Sequence, residues 1–247
     1  MFVKKILSTK NQFQKLSKNV IFENVGYDRK GTTLVMNKND LIPIVRTTTK
    51  YDRPFGKFNK AHINIIKEIQ KYFPKLQFNN GLIEIYGDKY KKMRYHSDQA
   101  LDLVNDSYIC LFSCYDGNFG SRILRTKNKI DDTIEDFVLD NNSIILFSTE
   151  TNKLFLHKII LKEFCNPKWL GFTLRLSKTF VKFINEKTYF TNGKELNLAN
   201  NDEKKQFYKY RRQENKTIDF VYPNINFTIS KNDLLKPMVS GNLHHLN

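Results

Sequence analysis

The sequence predicts a mostly β domain of the α+β kind, an antiparallel sandwich or jelly-roll core with supporting helices. Two observations carry this expectation. Between positions 82 and 177 lie five short runs rich in β-branched and aromatic residues, each bounded by Asn, Asp, Gly or Lys clusters. Ahead of them lies a segment with helical apolar spacing, suited to packing on one sheet.

In chain order, the first 60 residues read as irregular, polar and basic, with apolar bursts VIF and TLVM. The segment AHINIIKEIQKYF at 61–73 places Ile63, Ile66, Ile69 and Phe73 at helical intervals. The strand candidates follow: LIEIY at 82–86, SYICLFS at 107–113, SIILFS at 143–148, LFLHKII at 154–160 and GFTLRLS at 171–177. DEKKQFYKYRRQEN at 202–215 reads as a surface helix whose KKQFYKYRRQ stretch at 204–213 either contacts phosphates or, the favoured reading, faces solvent and docks through Phe207 and Tyr210; an apolar run, IDFVYPNINFTI, follows at 218–229. The expected organisation is a basic segment at 1–60, a core at 61–185 and an extension at 186–247 folded onto it.

At 247 residues and 40% hydrophobic content the chain can bury a real core, and no apolar run approaches membrane-spanning length. The N-terminal MFVKKILSTKNQF has no apolar stretch after its lysines, so no secretory signal is expected. Three cysteines cannot pair evenly, which suits a cytoplasmic or nuclear protein with free thiols. Cys110 and Cys114, inside an apolar run, read as core packing. Lys and Arg number 41 against 25 Asp and Glu, a net +16. Such an excess favours polyanionic partners, nucleic acid first among them; the plainer reading is a basic, soluble, lysine-rich surface.

The chemistry centres on His96-Ser97-Asp98. With five histidines and 15 aspartates, chance gives roughly 0.3 His-x-Asp triplets, so the triplet alone is weak. On extended chain, however, residues two apart point the same way, and an imidazole and a carboxylate so placed can grip one metal ion. His157 lies on an otherwise apolar strand and needs a partner, either a backbone carbonyl or a shared ion. On GFTLRLS, Thr173, Arg175 and Ser177 share one face, which is either an exposed edge or a lumen that binds an anion through the Arg175 fork and the Ser177 hydroxyl. Two histidines and one carboxylate form the facial triad of non-haem Fe(II) oxygenases. A 2-oxo acid can chelate at two of the remaining positions and O2 can take the third.

Over about 81–178 the sequence resembles the AlkB-like branch of the Fe(II)/2-oxoglutarate-dependent dioxygenases. The resemblance runs through LIEIYGDKYKKMRYHSD, SYICLFSCYDGNFGSRILRTK, FVLDNNSIILFSTETNKLFLHKI and WLGFTLRLS. It implies a double-stranded β-helix, iron on His96, Asp98 and His157, and 2-oxoglutarate near Tyr86 and Arg175. The chain departs from the family pattern at three positions: Glu84 replaces a frequent Asn, Trp169 a frequent second Arg, and Gln99 a frequent acid. The resemblance further implies oxidative demethylation of N-alkylated bases, with release of formaldehyde, succinate and CO2. An enzyme acting on bases must flip them out or take a single strand. The basic, aromatic stretch IVRTTTKYDRPFGKF, with Arg46, Tyr51 and Arg53, then resembles a nucleotide-recognition lid, and Arg122 and Arg125 resemble a substrate-facing strand; the plainer reading of both stretches is a solvated basic surface. The same iron chemistry also serves a protein hydroxylase or demethylase, and the fold alone also serves a non-catalytic nucleic-acid-binding module.

Overall fold

The computed structural model describes residues 1–91, 93–117, 120, 122–162 and 167–238. Cys165 lies outside them. The fold is mostly β, as expected. Its main sheet orders the strands Val3–Ile6, Ser143–Ser148, Tyr108–Tyr115, Trp169–Arg175, Asn80–Tyr86, Arg29–Val35 and Glu23–Asn24, with Gly56–Lys57 also on Arg29–Val35. A three-stranded sheet orders Phe155–Leu161, Arg122–Asn128 and Ile134–Val138. Its inner face closes over the main sheet: Leu124 and Ile159 pack with Leu111, Ile145, Phe147 and Tyr86.

Strand period decides what faces the lumen. On the Asn80–Tyr86 strand, Leu82, Glu84 and Tyr86 turn inward, and Ile83 joins the outer core with Phe112, Phe172 and Leu174. That outer face is covered by two helices, α1 (Phe13–Ser17) and α2 (Lys60–Tyr72). The buried face of α2 is His62, Ile65, Ile66 and Ile69, shifted from the expected one so that Ile65 replaces Ile63. Cys110 and Cys114 are free and buried in this same core.

Residues 1–60 are less irregular than their composition predicts. Arg29–Val35 pairs along its whole length with Asn80–Tyr86, and Val3–Ile6 forms the far edge of the sheet against Ser143–Ser148. Both partners lie far along the chain, so no local period announces these strands. Towards the C-terminus, the helix α3 (Thr149–Leu154) is followed by α4 (Asn201–Lys216), which docks through Phe207 on Ile225, Phe227 and Ile229. Among the described residues no helix is long and apolar enough to cross a membrane.

The start of α2 is fixed by a reciprocal cap. The Asn59 side chain accepts from Ala61 N and His62 N, while Asn59 N donates to His62 Nδ1 at 3.0 Å. His62 Nε2 meets Leu16 O at 3.1 Å, tying α2 to α1. Burial pushes this imidazole down to about 4, against the opposing bond to Leu16. A histidine depressed from 6.5 contributes stability above pH 6.5 and loses it as pH falls towards 4. The loss expected from this group is roughly 3 kcal/mol. Urea unfolding of the wild type and His62→Gln across pH 4–7 reads it. The glutamine carbonyl can keep the bond from Asn59 N, and the variant should lack this part of the slope.

Candidate metal centre

His96 is not on a named strand. It forms an isolated antiparallel bridge with His157, donating from His96 N to His157 O at 3.0 Å and accepting from His157 N at 2.7 Å. Paired residues in such a bridge project to one side, and the two imidazole centroids stand 4.6 Å apart. Asp98, two residues on, returns to the same side, and its Oδ1 is 3.5 Å from His157 Nε2. One ligand atom from each of His96, Asp98 and His157 falls within 4.8 Å of the others.

The protonation states suit a metal. His96 Nδ1 lies 3.0 Å from Arg94 O, which can only accept, so Nδ1 carries the hydrogen and the Nε2 lone pair is free. Burial, with His157 and Arg211 nearby, pushes this imidazole down to about 3, so it is neutral. Burial opposes ionisation of Asp98, but Arg175, His157 and His96 outweigh it and hold the carboxyl well below the usual range. His157 Nδ1 has no hydrogen-bond partner among the described residues. Its ring is steered by the backbone bridge and by the Phe147 ring, 5.7 Å away. Two imidazoles and one ionised carboxylate are a donor set for a divalent transition metal.

The loop bearing His96 and Asp98 is held by three neighbours. From α3, Asn152 trades two 2.8 Å bonds with the Asp98 backbone. The strand Phe155–Leu161 accepts from Ser97 Oγ through Phe155 O. From α4, Asn215 accepts from Ser97 N at 3.0 Å, Glu214 accepts from Ala100 N at 2.8 Å, and Arg211 donates to Ser97 O. Asn152, Glu214 and Asn215 carried no functional signal in the sequence, and Arg211 fell in a stretch read either as a phosphate contact or as a solvent-facing helix. The charged helix at 202–215 was visible, but its contact with the His96 loop spans over 100 residues.

The three candidate ligands open onto a cavity of about 680 Å³ inside the lumen. Tyr86 and Arg175 line it, and their protein partners were unforeseen. Arg175 Nε and Nη2 both bond Asp98 Oδ2, at 2.8 and 2.6 Å. Tyr86 Oη donates to Glu84 Oε2 at 2.8 Å, and Glu84 is in turn gripped by Arg29. Burial opposes the charge on Arg29, yet Glu84 and the Tyr86 hydroxyl keep its pKa raised. Deep in the lumen, therefore, two guanidiniums face two carboxylates. A ferrous ion held by the three candidate ligands would add two positive charges there, which a dicarboxylate such as 2-oxoglutarate would offset. Trp169, which replaces a family arginine, is a core residue: its Nε1 donates to Ser113 Oγ at 2.8 Å and its ring meets Tyr86 at 4.8 Å. Gly171 leaves room for that indole, since a Cβ there would sit 2.1 Å from Trp169 Cη2.

Several expected site residues lie elsewhere. Ser177 lines no part of the cavity, because its hydroxyl is committed to the carbonyls of Ile44 and Thr179. Arg46 is buried, paired through two nitrogens with Asp102 and bonded to Ile225 O and Phe227 O, so its guanidinium is saturated by the protein. Arg122 is buried too, donating to Tyr90 O and Gly87 O and lying over the Tyr86 ring. Tyr51 is only 2% exposed and reaches no surface. Arg53 is exposed but stands outside the cavity lining, and Arg125 is paired with Asp136. The basic stretch at 44–58 owes much of its composition to internal tethering, which net charge cannot distinguish from a binding surface.

A β fold that brings two histidines and a carboxylate together over a cavity open at one side suits the class of mononuclear metal oxygenases. The chain belongs to the 2OG-Fe(II) oxygenase superfamily, which its residues 11–177 match. Members of this superfamily are dioxygenases that use Fe(II), 2-oxoglutarate and O2. Among solved structures it is similar to one described as "The structure of OsALKBH1", with 15% identity, a TM-score of 0.46, and coverage of 66% of this chain and 87% of that one. No curated protein matches the chain.

The hydrogen-bonded ligand loop makes a quantitative demand. Asp98→Ala should abolish tight Co(II) binding by the metal-free protein, followed by the visible absorption of the bound ion. Asn215→Ala leaves all three ligands in place and should weaken binding about 10-fold. Wild-type affinity in Asn215→Ala would mean that α4 does not orient the loop.

Proposed function

We propose that the chain oxidatively demethylates N-alkylated bases in nucleic acid, with Fe(II) held by His96, Asp98 and His157. When bound, iron and 2-oxoglutarate supply the oxidation: one oxygen atom of O2 hydroxylates an N-methyl group, the other enters succinate, and CO2 and formaldehyde leave. The chain's own residues provide three things. The neutral His96 and ionised Asp98 present electron pairs without prior deprotonation. Arg175, bonded to Asp98 and lining the cavity, would supply a guanidinium for a carboxylate of the cosubstrate. Leu82, Ile109, Leu111, Leu124, Phe147 and Ile159 keep the lumen dry around the reacting atoms.

The observation that carries the substrate is electrostatic. The chain bears +16 overall, and the cavity opens beside exposed Arg94 and Arg212, which suits a polyanion. The sequence likeness to the AlkB-like branch supports the same class.

Formaldehyde and succinate assays decide it. Single-stranded oligonucleotides carrying N-methylated bases, with Fe(II), ascorbate and 2-oxoglutarate, should give equimolar formaldehyde and succinate. Turnover confined to methylated peptides would reject the nucleic-acid reading. Arg175→Ala should raise the half-saturating 2-oxoglutarate concentration more than it weakens Fe(II) binding.

A further inference from the structure

The cavity has two rims. One is the segment Thr47–Thr49, anchored where Thr48 N donates to Gln99 Oε1 at 2.7 Å. The other is α4, which brings Tyr208 and Arg212 to the opening, with Arg94 and Tyr95 beside them. Tyr208 and Arg212 are four residues apart and so share a helix face. Arg211 and Asn215, which grip the His96 loop, lie on this same face and also line the cavity, while Phe207 is fully buried in the docking cluster that Tyr208 touches from its edge.

The charges at this rim are unbalanced. Arg211 is neutralised by Glu214, at 2.7 Å. Arg94 and Arg212 are exposed and have no acidic partner among the described residues. Two tyrosines accompany them. Tyr95 and Tyr208 are both half-buried, each held by packing with part of its ring at the opening. Lys158 Nζ sits 4.1 Å over the Tyr95 ring and stiffens it. Guanidiniums without acidic partners beside held aromatic rings suit a single nucleic-acid strand, phosphates for the cations and base faces for the rings.

We infer that α4, a helix C-terminal to the family-matching region, forms the substrate-recognition wall of this enzyme. Arg94 and Arg212 take successive phosphates of a single strand, and Tyr208 stacks on the base entering the cavity. This rests on the nucleic-acid reading above and deepens it. It moves recognition away from the basic stretch at 44–58, where Arg46 and Tyr51 are buried. It also gives one helix two tasks, since the same α4 that faces substrate orients the metal-ligand loop.

The test is fluorescence anisotropy of an unmodified single-stranded oligonucleotide on the full chain, loaded with Fe(II) and 2-oxoglutarate without oxygen. Arg94→Ala and Arg212→Ala should each weaken binding severalfold and reduce the slope of log affinity against log salt by about one. Tyr208→Ala should weaken it about fivefold or more, with Tyr208→Phe restoring it, because the ring alone stacks. Arg53→Ala should leave affinity within about twofold of wild type. If the wild type binds the strand but the Arg94, Arg212 and Tyr208 variants match it, the α4 assignment is overturned while the demethylase reading stands. If the wild type neither binds strands nor releases formaldehyde from methylated ones, the demethylase reading fails and this inference with it. Circular dichroism melting of each variant reports whether the helix is kept, and Arg212, being exposed, should leave it unchanged.

Discussion

Two backbone hydrogen bonds, exchanged between His96 and His157, are the constraint on which the site depends. With the bonds from Met93 N to Ile159 O and from Leu161 N to Lys91 O, they join the loop to the edge of the smaller sheet. Side chains alternate along extended chain, so a one-residue slip would present Lys158 or Leu156 in place of the imidazole. The bridge thus fixes register, spacing and direction at once. Asp98 follows by strand geometry, and Ser97, between the two ligands, points the other way to bond Phe155 O. The ligand spacing in sequence is therefore a consequence of the pleat.

Around this bridge the lumen is built from charges that must cancel. Arg175 lies on Asp98 and Arg29 on Glu84, each pair within or bordering an apolar shell. Charges in such surroundings persist only with partners. The pairing explains how a chain that departs from its family at Glu84 and Trp169 keeps a neutral interior. Glu84 is matched by Arg29 from the neighbouring strand, and Trp169 fills its place with an indole bonded to Ser113. These departures are one packing solution, with Tyr86 in contact with both.

The segment beyond the β core belongs to the site as much as the core does. Arg46 and Asp102 bind the start of the chain to the loop after the His96 segment, and the carbonyls of Ile225 and Phe227 complete the same cluster. Removing one partner of such a buried pair costs about 3–5 kcal/mol. That makes Arg46 a structural tether between distant segments. From the same region α4 reaches back to Ser97 and Ala100, so the geometry of the candidate metal ligands depends on residues over 100 positions away.

The sequence by itself determined what local period and chemistry can write. Strand alternation at 82–86, 107–113, 143–148, 154–160 and 171–177, the helix at 61–73, and the His96, Asp98 and His157 set were all legible, because side-chain periodicity and metal-donor chemistry are properties of short segments. Tertiary structure alone decided which charges are spent internally. Arg46, Arg122 and Arg53 look alike as basic residues in polar sequence, yet two are saturated by carbonyls or a carboxylate brought from elsewhere in the chain and one is exposed. Likewise Arg29, Asn152 and Asn215 gained their places only when distant strands and helices met. Hydrogen bonds across long chain separations carry no local signature, and the physical role of a polar side chain is set by what the fold puts within 3 Å of it.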